Sequence, residues 1–121
     1  MNQEIMATIL RYAGYEVTVV SDGQAALEAV QLGDFNLVLM DLQMPVMGGI
    51  EAARRIRALD GRAGRTPIVA VTAHSVGRQE VEHCRCAGMD GFLTKPVDPA
   101  ELEEMFLALF PGEEASRIVA A

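Results

Sequence analysis

The chain has 121 residues, the length of one domain, and half of them are apolar, which is enough to bury an aliphatic core. Its formal net charge of −7 argues against direct nucleic-acid binding, which normally needs a basic surface. It shows no secretory signal and no run near the roughly 18 apolar residues of a membrane span. The Cys84-Arg85-Cys86 segment suits neither a disulfide framework nor a four-ligand zinc site, and predicts reduced thiols in a cytoplasmic protein.

The first half of the chain alternates between helical and strand patterns. Residues 2–13 place their apolar side chains on one helical face, and Gly14 suits the end of that helix. A short strand follows over 17–20, and a second helical pattern covers 23–32. The apolar run 36–40 is short enough to be a buried strand.

The second half continues the alternation. Helical spacing over 49–59 is followed by a buried strand over 67–72. A helix near 75–87 ends at Gly88, and a short strand covers 91–94.

The last helix has marked ends. Asp98 can cap it, Pro99 suits its first position, and Glu101 stands where a capping box places an acid. Strands that alternate with helices predict an α/β fold with a parallel sheet covered on both faces. Ligands of such sheets collect at the carboxyl ends of the strands, so the functional site should lie there.

Three polar residues follow predicted strands at that edge. Asp41 ends the run Leu-Val-Leu-Met, Thr72 ends Ile-Val-Ala-Val, and Lys95 follows Gly-Phe-Leu-Thr. A carboxylate there can attack a phosphoryl group, a lysine can neutralise phosphoryl charge, and a threonine hydroxyl can donate a hydrogen bond to it. Each residue alone has a plainer interpretation: Asp41 as a turn residue, Thr72 as a helix cap and Lys95 as a solvated lysine. Together they suit uptake of a phosphoryl group.

Three segments carry a family resemblance: LVLMDLQMPVMGG, PIVAVTAH and AGMDGFLTKP. In order and spacing, over roughly residues 2–110, they resemble the receiver domains of two-component signalling, most of all those of hybrid histidine kinases. The resemblance implies a flavodoxin-like, doubly wound sheet of strand order 2-1-3-4-5. It also implies that Asp41 accepts a phosphoryl group from a phosphohistidine, that Thr72 is the switch hydroxyl, and that Lys95 contacts the phosphoryl group.

Further roles follow from the same resemblance. Phe92 falls at the aromatic switch position, although a core role is the plainer reading of a phenylalanine. Lys95-Pro96 falls at the family's usual cis peptide bond. The family's cofactor is Mg²⁺, for which Asp41 and the backbone carbonyl of Gln43 would be ligands. The implied partner is a histidine kinase or a histidine-containing phosphotransfer domain, with neither nucleic acid nor membrane contacted directly.

The amino terminus departs from the family pattern. Receivers begin with an apolar strand that ends in acidic residues, whereas this sequence opens directly on the helix predicted for 2–13. Loss of the acids should weaken Mg²⁺ binding and make phosphorylation weak or absent. Loss of the strand leaves a slot between the strands at 16–20 and 36–40. Each buried unpaired backbone group there costs about 1–3 kcal/mol.

The carboxyl-terminal tail is a candidate to fill that slot. Arg117-Ile118-Val119-Ala120-Ala121 has a strand pattern, and the crossover to the slot would be right-handed. We therefore divide the chain into a receiver domain over 1–112, lacking its first strand, and a tail over 113–121. The tail would replace the strand within one chain or exchange between two copies as a homodimer, restoring the pairing but not the acids. The alternatives are a frayed tail and a last helix extended through residues 113–115.

Two other functions compete with a phosphoryl-accepting receiver. A pseudo-receiver would bind a partner without taking phosphate. A phosphohydrolase of the haloacid dehalogenase type also uses an Asp, a Ser or Thr, and a Lys at strand ends, but it typically has a second Asp where this chain has Gln43. The sequence therefore favours a signalling domain over an enzyme with turnover of its own.

Overall fold

The computed structural model describes residues 3–33, 35–41, 48–61, 63–72, 78–94, 97–110 and 117–121, apart from the side chains of residues 3, 4 and 80. Helices and strands alternate through these ranges. The helices are α1 Gln3–Tyr12, α2 Gly23–Leu32, α3 Gly49–Arg57, α4 Arg78–Cys86 and α5 Pro99–Leu109, with a short 3₁₀ turn at Ala63–Arg65. The strands are β1 Glu16–Val19, β2 Leu37–Asp41, β3 Ile68–Thr72, β4 Gly91–Thr94 and β5 Arg117–Ala120.

All five strands form one parallel sheet in the order β1-β5-β2-β3-β4. This confirms the predicted α/β fold. It also confirms that the last segment of the chain occupies the slot, because β5 lies between β1 and β2. Ile118 is paired with Val17 on one side and with Leu37 on the other.

β5 is held firmly at its amino end. The Asn36 side chain accepts a hydrogen bond from the Arg117 backbone N–H, and the Asn36 N–H donates to the Arg117 carbonyl, both at 2.8 Å. The Arg117 guanidinium lies 5.1 Å from the centre of the Phe35 ring and 3.5 Å from a Glu16 carboxylate oxygen. This pairing excludes a frayed tail for 117–120. The alternative of a last helix extended through residues 113–115 lies outside the described part of the chain.

The sheet separates two apolar cores, one on each face. The first joins α1 and α5 to one face, and the second joins α2, α3 and α4 to the other. β5 contributes to both, since Ile118 and Ala120 belong to the first core and Val119 and Ala121 to the second. Two neighbouring strands would lose apolar cover on both faces if β5 were absent.

The amino edge of the sheet is tied together by Arg57 at the end of α3. Its guanidinium donates to the carbonyls of Gly88, Gly64 and Thr66 and pairs with Asp90 at 2.8 Å. The Asp90 carboxylate also accepts a hydrogen bond from the first N–H of β3. One side chain thus joins α3, the 3₁₀ turn and the segment before β4.

Local chemistry explains most element ends. The Asp22 side chain accepts a hydrogen bond from Ala25 N–H at the start of α2, and Asp98 does so from Ala100 at the start of α5. Gly14 has a φ of 107° and Gly88 one of 98°, in the left-handed region that favours glycine after a helix. The predicted helix near 75–87 is observed over Arg78–Cys86, and residues 73–77 lie outside the described part.

Candidate functional site

The carboxyl ends of the strands meet at one edge of the sheet, which places Asp41 and Thr72 on neighbouring strands. Asp41 is the last residue of β2 and is aligned with Val71 of β3. Thr72, the next residue, ends β3 and is aligned with Thr94 of β4. The sequence-based expectation of a shared edge therefore holds for Asp41 and Thr72.

Side-chain alternation assigns these residues to faces of the sheet. Asp41 follows the face of Leu39, which packs with α1 and α5. Thr72 follows the face of Ala70, which packs with α2, α3 and α4. Asp41 is partly exposed, whereas Thr72 is buried with 8% of its surface exposed. A group bound above the edge could be approached from both faces.

β5 sets the backbone beside Asp41. The Asp41 N–H donates to the Ala121 carbonyl at 3.0 Å, and the Ala121 N–H donates to the Leu39 carbonyl at 2.9 Å. These bonds carry the sheet pairing to its carboxyl edge. The side chains that lie there belong to Ala120, which ends β5, and to Ala121, the next residue; they are 0% and 1% exposed and have no polar group.

Phe92 lies on β4 and lines both a cavity and an open groove. Its partner on β3 is Ala70, and its partly buried ring packs against the second core, on the same face as Thr72. A cavity of about 140 Å³ opens on the α4 side, lined by Phe92, Cys84 and Met89 among others. A more open groove lies between β4 and α5, where Phe92, Met105 and Glu101 contribute. The ring is therefore less confined than a residue of the closed core.

The remaining predicted site residues lie outside the described part of the chain. These are Gln43, Lys95 and Pro96, together with the predicted cis peptide bond between the last two. β4 ends at Thr94, which is aligned with Thr72 at the same edge of the sheet as Asp41.

The described residues do not by themselves fit a magnesium site. Among them, no group of three or more His, Cys, Asp or Glu side chains is arranged to hold a metal ion. Asp22 and Asp98 also follow strands at this edge, but their carboxylates accept hydrogen bonds at helix starts. Mg²⁺ needs near-octahedral oxygen coordination and usually binds one or two carboxylates with waters and phosphate oxygens. Asp41 is the described carboxylate of this edge that ends a strand.

Sequence reasoning missed two contributions to this region. It did not foresee that the carbonyl of Ala121 would accept the Asp41 N–H, because an alanine carries no chemical signal. It also passed over Arg57 and Asp90, which fix the opposite edge. No side-chain pattern indicated the Arg57 network, because three of its four acceptors are backbone carbonyls.

The architecture is that of a doubly wound α/β signalling domain, with its acidic residue at the end of a central strand. The family profile described as response regulator receiver domain matches residues 1–107. The chain therefore belongs to the receiver domain family of two-component signalling. β5 lies beyond the matched range.

Two curated relatives are a sensor protein and a histidine-protein kinase. The chain is 41% identical over 108 residues to the sensor protein GacS of Pseudomonas syringae pv. syringae, covering 88% of this chain and 12% of that protein. It is 35% identical over 119 residues to the histidine-protein kinase BarA of Escherichia coli K12, covering 98% of this chain and 13% of that protein. The chain thus spans about an eighth of the length of these relatives.

Solved structures show the same fold. The receiver domain of sensor histidine kinase PA1611 from Pseudomonas aeruginosa PAO1, with a magnesium ion coordinated in its active site cleft, is 37% identical with a TM-score of 0.77, covering 89% of this chain and 87% of that one. The chemotaxis protein CheY4 of Vibrio cholerae is 28% identical, also with a TM-score of 0.77, covering 89% and 88%. Within the described residues, no helix is both long and apolar enough to cross a membrane.

Proposed function

We propose that this receiver domain accepts a phosphoryl group on Asp41 from a phosphohistidine in a phosphorelay. The observation that carries the proposal is the position of Asp41 at the carboxyl end of β2, one register step from Thr72 on β3. A carboxylate oxygen of Asp41 would form the new bond to phosphorus as the phosphorus–nitrogen bond of the donor histidine breaks. Lys95 would neutralise the added charge and Thr72 would donate a hydrogen bond to a phosphoryl oxygen.

The conformational change that follows phosphorylation would pass from Thr72 to Phe92. Phosphorylation adds about −1.5 to −2 charges at Asp41 and three acceptor oxygens. Thr72 and Phe92 share one face of the sheet on neighbouring strands, and the ring borders a cavity on the α4 side. Movement of the Thr72 hydroxyl toward the phosphoryl group would vacate space into which the Phe92 ring can move. The surface formed by α4, β4 and α5 would then change its affinity for a partner.

The donor must reach the carboxyl edge of the sheet, and α1 offers it an apolar contact there. α1 runs antiparallel to β1, because only residues 13–15 join them, so its first turn lies at the Asp41 edge. Ile5 in that turn is 61% exposed, and Tyr12 on the last turn is 93% exposed. We assign this outer face of α1 to a histidine-containing phosphotransfer domain or kinase, which must bring an imidazole to Asp41.

The pseudo-receiver remains the second candidate, because the described edge has no cluster of metal-binding side chains. Acetyl phosphate with Mg²⁺ and intact-mass measurement separates the two. A receiver gives weak incorporation of one phosphoryl group, which is lost in Asp41→Asn and kept in the cap variant Asp22→Asn. A pseudo-receiver gives no incorporation in any variant. Incorporation that survives Asp41→Asn would mean that another residue is the acceptor.

Four further expectations belong to the same proposal. The domain works in the cytoplasm and assists only transfer to its own carboxylate, so p-nitrophenyl phosphate should not be turned over. Residues 1–112 form the receiver and 113–121 the tail that completes its sheet. Two copies could exchange β5 reciprocally, and light scattering across a protein dilution series would detect the resulting homodimer.

A further inference from the structure

The side chains between α4 and β4 leave a cavity that they do not fill. It has a volume of about 140 Å³ and opens to solvent. Val81, Cys84 and Arg85 line it from α4, and Met89 and Phe92 line it from the segment that leads into β4. Interior spaces larger than a water molecule are few in a folded domain, so a cavity of this size requires a cause.

The cause lies in the sequence of α4. Val81, Cys84 and Arg85 are spaced three and four residues apart, so they share one face of the helix. Val81 and Cys84 are the apolar members of this set, and both side chains are short. Opposite them, Phe92 is only partly buried against the second core. Short side chains on the helix and one aromatic ring on the strand leave a gap that neither element closes.

The inner part of the cavity suits a single aromatic ring. An apolar cavity of about 150 Å³ holds a benzene molecule. Cys84 and Met89 are buried, so the inner walls are shielded from water. Their sulfur atoms are polarisable and pack favourably against aromatic rings, and the Phe92 ring is a further aromatic partner. A flat ring placed there gains dispersion contacts with all of these walls.

The polar part of the lining carries one cation and one anion. The Arg85 guanidinium makes an exposed pair with Glu82 at 3.8 Å, a loose contact that a bound group can replace. The Asp90 carboxylate is held by Arg57 at 2.8 Å and by the Ile68 N–H at 2.9 Å, and it has further lone pairs. A charged ligand of either sign meets a like charge there. A hydroxyl group, in contrast, can accept from Arg85 or donate to Asp90.

We propose that this cavity binds a small neutral phenol, with its ring between α4 and β4 and its hydroxyl group at Arg85 and Asp90. The ligand class is a single aromatic ring with one uncharged hydroxyl. Because Phe92 forms one wall, the bound ligand also restrains that ring. The site makes no use of Asp41, so this binding and the proposed phosphoryl transfer can fail separately.

The test titrates phenol itself into the full chain, with ¹³C-labelled methionine and valine methyl groups. For a ligand of this size we expect a dissociation constant of about 1 mM. The Met89 and Val81 methyl signals should shift with the ring current of bound phenol, whereas the signal of Met105, in the open groove beside α5, should stay. A shift of Met105 alone would place phenol in that groove and overturn the proposal, as would the absence of any saturable shift.

Benzoate and benzylamine are the matched ligands, because each carries an aromatic ring with a negative or a positive charge. Both should bind at least about tenfold more weakly than phenol, since each meets a like charge at Asp90 or Arg85. Equal affinities of phenol and either charged ligand would overturn the assignment of a neutral ligand.

Two variants fill the cavity from different sides. Val81→Phe and Cys84→Met should each weaken phenol binding at least about tenfold, and Cys84→Met decides the question if Val81→Phe does not fold. His83→Phe adds the same ring at an exposed position of α4 outside the cavity and should leave the dissociation constant unchanged. Circular dichroism confirms that each variant is folded. Phenol binding that survives in a folded Val81→Phe or Cys84→Met chain with unchanged affinity would overturn the proposal.

Discussion

The two edges of the sheet are built differently. At the amino edge, Arg57 donates to three carbonyls and pairs with Asp90, and Asn36 is joined to Arg117 by one side-chain and one backbone hydrogen bond. At the carboxyl edge, Asp41 ends β2 partly exposed, beside the alanines of β5. Among the described residues, the amino edge is joined by side chains that bond to several segments, whereas the carboxyl edge carries the candidate phosphoryl acceptor. Substitutions at the two edges should accordingly change different measurements.

The largest effect is expected for a charge placed inside β5. Ile118 is 0% exposed and packs in the first core, so Ile118→Asp should remove more than about 4 kcal/mol from the free energy of unfolding and leave little folded protein. The matched change Ile118→Val should cost only about 0.5–1.5 kcal/mol. Urea denaturation followed by circular dichroism measures both. An Ile118→Asp chain as stable as the parent would mean that β5 is dispensable.

Arg57→Met comes next, because it removes the donor to three carbonyls and the ion-pair partner of Asp90. We expect a loss of about 2–3 kcal/mol in the free energy of unfolding. Arg55→Met is the control on the same helix, since Arg55 makes an exposed ion pair with Glu51 at 2.8 Å and such pairs contribute about 0–1 kcal/mol. Equal losses in the two variants would remove the special role given to the amino edge.

Asp22→Ala should have a moderate effect. Its side chain caps α2 through Ala25 N–H at 2.8 Å, and loss of such a cap costs about 0.5–2 kcal/mol. Thermal unfolding should therefore occur at a lower midpoint. Asp22→Asn keeps a capping oxygen and should restore most of the stability; if it behaves like Asp22→Ala, the cap is not the cause.

Asp41→Asn should change stability least among the carboxyl-edge variants, by less than about 1 kcal/mol, because the residue is partly exposed and its backbone bonds remain. It should nevertheless abolish incorporation of a phosphoryl group from acetyl phosphate. A large loss of stability without a change in incorporation would give Asp41 a structural role. It would contradict the distinction between a structural amino edge and a functional carboxyl edge.

The smallest effect concerns alkaline pH. Burial, with a lesser contribution from the Glu103 charge, raises the pKa of the Tyr15 hydroxyl above its ordinary value of 10.0. A raised pKa in the folded state means that the protonated phenol is favoured there. Its contribution to stability is complete below pH 10 and is lost as pH rises through the folded-state pKa. Tyr15→Phe should flatten the decline in the denaturation midpoint above pH 10, whereas Tyr12→Phe, on an exposed ring, should not.

The sequence predicted the fold well because each element had a local cause. The apolar runs before Asp41 and Thr72 became β2 and β3, and Asp98 with Pro99 marked the start of α5. The place of β5 could also be inferred, since a missing central strand leaves backbone groups that something must pair. What sequence could not give was the register of β5 against β2, because Ala120 and Ala121 would fit several alignments. Tertiary backbone bonds to Leu39 and Asp41 decide it.

The site was predicted less completely. Asp41 and Thr72 could be placed at one edge because polar residues directly after apolar strands are conspicuous, and parallel pairing confirms that shared edge, while their roles stay predictions. The roles of Lys95, Pro96 and Gln43 stay predictions, since these residues lie outside the described part of the chain. The network of Arg57 was missed because its acceptors are mostly backbone carbonyls, which no side-chain pattern announces.

The place of β5 in the sheet has a consequence for how the domain comes together. β1 and β5 are neighbours, yet Val17 and its partner Ile118 are separated by most of the chain. Contacts between such distant residues form slowly, since a long loop must close first. On the ribosome, β1 and β2 are made long before the strand that joins them. Until β5 emerges, the backbone groups of β1 and β2 that pair with it stay unpaired. The nascent domain should therefore engage a holding chaperone during that time.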